Sequence, residues 1–156
     1  MHTVMASSFR KLIVDDTTIM KGLVSTRVYR AHMGERLTTF SSFQKPYVII
    51  EVSIEGSERG IPSQDAMATI SYVYDATLTT PQEATELGQK RLIELFDGKH
   101  EALSGTGFGL NFRECIKTST DNYYASDLNA YVGSVTFDCV IEATHINTAE
   151  ATRKSW

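Results

Sequence analysis

The sequence predicts one α+β domain: a mostly antiparallel sheet of about four to five strands, with one long helix and short N-terminal helices packed on one face. Strand-like alternation recurs over residues 47–55, 66–74 and 131–141. A helix with start and stop signals lies between Thr80 and Gly98. A hairpin joins the middle strands, and the last two are close enough in sequence to pair directly.

The N-terminal stretch is helical by spacing. Ser7 or Ser8 can cap it, and Phe9, Leu12 and Ile13 recur at helical intervals. Asp15-Asp16-Thr17 predicts a break and a second cap, because its side-chain oxygens accept from the free N–H groups of a following turn. That turn holds Ile19, Met20 and Leu23 and is weakened by Gly22. Val28-Tyr29 opens an extended segment. Residues 34–45 are polar and rich in Thr and Ser, which predicts a loop carrying Phe40 and Phe43. Pro46 then opens a strand over 47–55. Val48, Ile50, Val52 and Ile54 share one face, and Glu51, Ser53 and Glu55 the other, solvated face. Residues 56–64 concentrate turn formers and predict a long hairpin connection that carries Arg59 and Ile61. In the next strand Ala68, Ile70, Tyr72 and Tyr74 share a face.

Thr80-Pro81-Gln82-Glu83 predicts a capping box with proline at the first helical position. Ala84, Leu87, Leu92, Leu95 and Phe96 form the buried stripe of that helix, and Gly98 ends it in a left-handed conformation. Residues 105–109 form a Gly-rich turn. After it Phe108, Leu110, Phe112 and Ile116 alternate, with Glu114 interrupting the apolar face. Residues 118–129 are polar and predict a second long loop, which presents Tyr123 and Tyr124. In the last strand Tyr131, Gly133, Val135, Phe137, Cys139 and Ile141 share one face. Residues 1–143 are thus expected to make a single domain, and 144–156 an extended C-terminal tail that carries Trp156.

Composition narrows the function. The 156 residues are 42% hydrophobic and 22% charged, which argues against disorder as the main state. The net charge of -4 is the wrong sign for a body that grips nucleic acid through its phosphates. No apolar run approaches the ~20 residues of a membrane helix. The first residues lack the basic and apolar regions of a signal peptide, so a cytosolic, membrane-free protein is expected.

No catalytic, metal or cofactor site is expected. His2, His32, His100 and His145 have no second ligand at metal spacing. Cys139 falls on the apolar face of its strand and Cys115, by parity, on the opposite face. Residues 105–109 precede a strand rather than a helix and lack a Gly-Lys-Ser/Thr ending, so they do not make a phosphate loop. Glu114 is the one pointer toward a small enzyme or ligand-binding domain. Arg27, Arg30 and Arg36 are the pointer toward an accessory nucleic-acid binder.

The order of elements resembles the tail terminator (tail-completion, head–tail joining) proteins of long-tailed bacteriophages. The resemblance rests on the N-terminal helical piece leading into Arg27-Val28-Tyr29, on Lys45-Pro46-Tyr47-Val48-Ile49-Ile50, and on the hairpin strand Ala68-Thr69-Ile70-Ser71-Tyr72-Val73-Tyr74. It continues through the helix with Glu83-Ala84 and Leu87 that closes at Leu95-Phe96-Asp97-Gly98, and through the strand from Gly133 to Val140. Residues 34–45 and the tail fall outside the pattern. The resemblance implies a non-enzymatic virion protein at the tail neck, assembled in the host cytoplasm. It implies a homo-oligomeric ring, usually a hexamer, that caps the tail tube, meets the head-completion or connector protein, and lets DNA pass through its lumen without specific binding. Another neck component, a head-completion or stopper protein, is the alternative of the same class. The loops and tail are the expected partner contacts, through Phe40, Phe43, Arg59, Ile61, Tyr123, Tyr124 and Trp156.

Overall fold

The structure, a computed structural model, describes residues 2–32, 37–55 and 63–143. Helix α1 spans His2–Val14 and α2 Met20–Val24. Strand β1 (Val28–Ala31) and a single 3-10 turn (Leu37–Phe40) lead to β2 (Tyr47–Ile54) and β3 (Gln64–Asp75). Helices α3 (Pro81–Phe96) and α4 (His100–Ser104) precede β4 (Leu110–Ala125) and β5 (Ala130–Ala143). These strands form a five-stranded sheet in the order β1-β2-β3-β5-β4. Only the β1–β2 pair is parallel; the others are antiparallel.

The four helices cover one face. Met5, Phe9 and Ile13 of α1 are fully buried at helical spacing, against Ile50, Ile70, Phe137 and Phe112 of the sheet. Phe9 meets Phe96 edge-on at 4.8 Å, which joins α1 to α3. The α1–α2 break at Asp16 is locked from a distance. Arg91 of α3 donates to Asp16 through Nε (2.9 Å) and a terminal nitrogen (2.7 Å), while Asp16 also accepts from the Met20 N–H at 3.1 Å.

Several expectations change. Helix α1 begins before Ser7 and Ser8, and Ser8 is a buried interior residue whose hydroxyl donates to the Val4 carbonyl at 3.1 Å. Thr80 is left-handed (φ 48) and makes no side-chain cap. Its hydroxyl turns back to the Thr79 carbonyl at 2.8 Å. The buried positions of α3 are Thr85, Gly88, Leu92 and Phe96, and Leu87 stays 49% exposed. Gly98 is left-handed as expected (φ 74), and its N–H donates to the Cys115 carbonyl at 2.8 Å.

The largest correction is β4. Residues 118–125 belong to the strand, and only 126–129 turn before β5. Every side chain from Ile116 to Tyr124 is exposed, so no face is buried and the apolar alternation that signals a strand is missing. A bulge between Phe112 and Glu114 also shifts the parity. Glu114 and Ile116 therefore point away from the helices, while Cys115 turns inward and pairs directly with Cys139. Both thiols are buried, at 1% and 2% exposure, and the hydrogen bond to Cys139, with burial, pushes the Cys115 thiol well up. A disulfide-exchange reagent should accordingly detect no thiol in the native protein and two after addition of guanidinium. Rapid native labelling would contradict this packing.

Candidate functional site

The sheet face without helices changes character along the strands. One end is apolar. Tyr29, Phe40, Phe43 and Tyr47 cluster there, with Tyr29 and Phe43 edge-to-face at 4.6 Å, above Ile49, Val73 and Val132. Tyr47 donates to the Phe40 carbonyl at 3.2 Å, and burial raises its phenol to about 12. The middle is a polar ladder, with Ser71 and Ser134 hydroxyls 2.8 Å apart and Thr69 and Thr136 hydroxyls 3.4 Å apart. At the far end Glu55, Asp65, Glu114 and Asp138 surround a groove of about 420 Å3 floored by Met67, itself 45% exposed. Among the described residues no group of three or more His, Cys, Asp or Glu side chains is placed to hold a metal ion.

The two edges of the sheet differ. The outer edge of β4 is covered over its first half. Ser104 bonds the Phe112 N–H at 2.7 Å, Gly98 bonds the Cys115 carbonyl, and Asp97 accepts from the Lys117 N–H at 2.9 Å. A second bulge follows between Lys117 and Ser119, and beyond it the strand projects past the covered stretch with its side chains exposed through Tyr124, Tyr123 also bordering a small cavity with Ala31, Ile49 and Ser71. The projecting half is tied to α3 by Gln89, whose Nε2 donates to the carbonyls of Asp121 (2.9 Å) and Ser134 (2.8 Å).

The opposite edge is β1, only four residues long. Arg10 of α1 reaches over it and donates to the carbonyls of Val28 (3.1 Å) and Thr26 (3.2 Å). A cleft of about 440 Å3 lies there, between α1 and the aromatic cluster, with Arg10, Arg30, Tyr29, Phe40 and Phe43 in its wall. Arg30 gives one terminal nitrogen to the Thr3 hydroxyl at 3.2 Å, but its buried Nε has no hydrogen-bond acceptor among the described residues.

The expected contact residues fall in three places. Tyr123 (38% exposed) and Tyr124 (50%) stand on the projecting half of β4, on opposite faces, and Tyr124 packs on Tyr131 at 5.4 Å. Phe40 (5% exposed) and the half-buried Phe43 pack on their own sheet at the β1 cleft. Arg59, Ile61, Trp156, the 56–62 connection and the 144–156 tail lie outside the described residues, as does Arg36. Arg27 is used internally, donating to the Pro46 and Leu23 carbonyls at 2.9 and 3.0 Å. Sequence reasoning missed the exposed Ile116 and Met67 because a bulge and a helix-free face decide their exposure, and neither leaves a periodic signal.

These features define a small α+β fold with a helix-covered core, an open second face and two unlike sheet edges. No family model matches the sequence, and no curated protein matches it. The structure is similar to a chain in the virion of a native gene transfer agent particle, at 13% identity and a TM-score of 0.63, over 88% of this chain and 94% of that one. What the two chains share is the fold.

Proposed function

We propose that this chain is a structural virion protein: a tail terminator that forms a ring at the neck, caps the tail tube and joins tail to head. The observation that carries the reading is the fold shared, over nearly the whole of both chains, with a chain of a gene transfer agent virion. The element order that resembles phage tail terminators points the same way. So does the projecting half of β4, an exposed strand edge of the kind that invites pairing with another chain. Its partners on this reading are further copies of itself, six in a ring as the family resemblance implies, the tail tube protein and a head-completion or connector protein. The net charge of -4 suits a lumen through which DNA slides without sticking. Light scattering over a range of concentrations, with and without tube protein, and negative-stain electron microscopy test the reading. Closed rings that block tube growth are the expected result. A strict monomer that leaves tube growth unchanged would overturn it, and rings that bind only the head side would assign the chain to another neck component.

A further inference from the structure

We infer that two surfaces at opposite edges of the sheet form one head-to-tail contact between copies: the projecting half of β4 docks into the arginine-lined cleft beside β1 of the next copy. The inference rests on the ring reading and names the surfaces that would close the ring.

The chemistry of the two surfaces is complementary. Among the described residues, the cleft wall combines aromatic rings with the guanidinium groups of Arg10 and Arg30 and contains no carboxylate. The buried Nε of Arg30 is a donor without an acceptor among the described residues. On β4, Asp121 and Tyr123 lie two positions apart and so share a face. Both side chains are exposed, and the Asp121 carboxylate makes no hydrogen bond within the described chain. An exposed ring beside an exposed carboxylate matches rings beside a guanidinium with one donor to spare, the pairing in which arginine is most effective.

The placement fits a closed ring. Tyr123 pairs with Val132, Val132 with Val73, and Val73 with Tyr47, beside the Val48–Val28 pair. Tip and cleft thus sit on one cross-sheet row, four strand spacings or about 19 Å apart. Copies related by a pure rotation make contact at equal height along the axis, whereas a height offset generates a helix. With the strands set along the ring axis, these two patches are level. They are also different surfaces, as a heterologous contact requires. The far edge explains why β1 does not simply accept another strand: Arg10 already occupies its Val28 carbonyl.

The test uses two variants of the full chain. Thr3→Glu puts a carboxylate in the first turn of α1, an exposed position that tolerates one, where it fills the cleft and pairs with Arg30 in place of a neighbour. Asp121→Ala with Tyr123→Ser removes the docking groups from the tip. Thermal melting confirms that each variant is folded; should the tip variant melt early, Asp121→Ala alone replaces it. By size-exclusion chromatography with light scattering each variant alone is expected at the 17.4 kDa monomer, and their equimolar mixture as a dimer, since one intact cleft then meets one intact β4 projection. If the parent chain forms rings and either folded variant still does, the inference is overturned and the ring reading stands. Monomeric variants whose mixture gives no dimer also overturn it. A parent chain that never assembles, even with tube protein, removes both.

Discussion

Replacing Arg91 with alanine should destabilise the protein by about 3–5 kcal/mol at neutral pH, the cost of leaving a buried charge without its partner. The Asp16 side chain is only 4% exposed and holds Arg91 by two short hydrogen bonds. Those bonds are the main reason its carboxyl sits at about 2 rather than the ordinary 3.8, with the Met20 N–H and the Arg91 charge adding to them against burial. A carboxyl depressed on folding stabilises the protein above its unfolded value, and the contribution is lost as pH falls toward the folded one. The lost part is about 2 kcal/mol and disappears between roughly pH 4 and pH 2. Urea unfolding of parent and variant should therefore show a large gap that holds from pH 6 to about pH 4 and narrows below it toward pH 2. A gap below about 1 kcal/mol, as for an exposed ion pair, or one independent of pH, would refute this account. The pair also matters for the docking cleft, because it fixes the α1–α2 break against α3 and thereby the placement of α1, whose Thr3 and Arg10 line that cleft.

Most of the fold is legible in the sequence because one face of the sheet is buried under helices. Val48, Ile50 and Val52, then Ala68, Ile70 and Tyr72, then Val135, Phe137 and Cys139 alternate as a half-buried sheet requires, and all of them enter the core. Legibility stops where burial stops. The projecting half of β4 has backbone pairing but no buried face, so it looked like a loop. Cys115 shows a second limit: one extra residue at the first bulge reverses the assignment of faces until the second bulge, after Lys117, restores it. The capping box at Thr80 shows a third. A motif of the right residues is overridden when the chain must enter the helix from a left-handed residue. Of the candidate contacts, Tyr123 and Tyr124 were visible as an exposed aromatic pair. Their counterpart was not, because the cleft is assembled from α1, β1 and the 37–43 segment, which only the tertiary structure brings together.

Gly88→Ala should destabilise the protein by about 2 kcal/mol, although alanine is ordinarily favoured over glycine inside a helix by up to about 1 kcal/mol. A Cβ at position 88 would lie 2.5 Å from Cδ2 and 2.6 Å from Cε2 of Tyr72, a ring with no exposed surface in the middle of the sheet. The close approach is reciprocal, since a Cβ on Gly133 of β5 would lie 3.1 Å from Gln89 and from Thr85 of α3. Helix α3 therefore sits on β3 and β5 at a spacing that two glycines make possible. Gly22→Ala in α2 is the internal control, because a Cβ there meets nothing within 4 Å, and it should stabilise by about 0.5–1 kcal/mol. The same substitution at two helical positions is thus expected to give opposite signs in denaturant unfolding. If Gly88→Ala is neutral or stabilising, α3 is free to lift away and the close packing carries no energy. Combining it with Tyr72→Leu, which thins the ring it strikes, should recover part of the loss, and strict additivity would argue against that contact. The effect should extend beyond stability. Gln89, the residue after Gly88, anchors the projecting half of β4 through the Asp121 carbonyl and the adjoining β5 through the Ser134 carbonyl, so lifting α3 at Gly88 displaces the strand that carries Asp121 and Tyr123. Assembly measured well below the melting temperature should then weaken in Gly88→Ala and remain intact in Gly22→Ala, which separates a shifted docking strand from a merely less stable subunit.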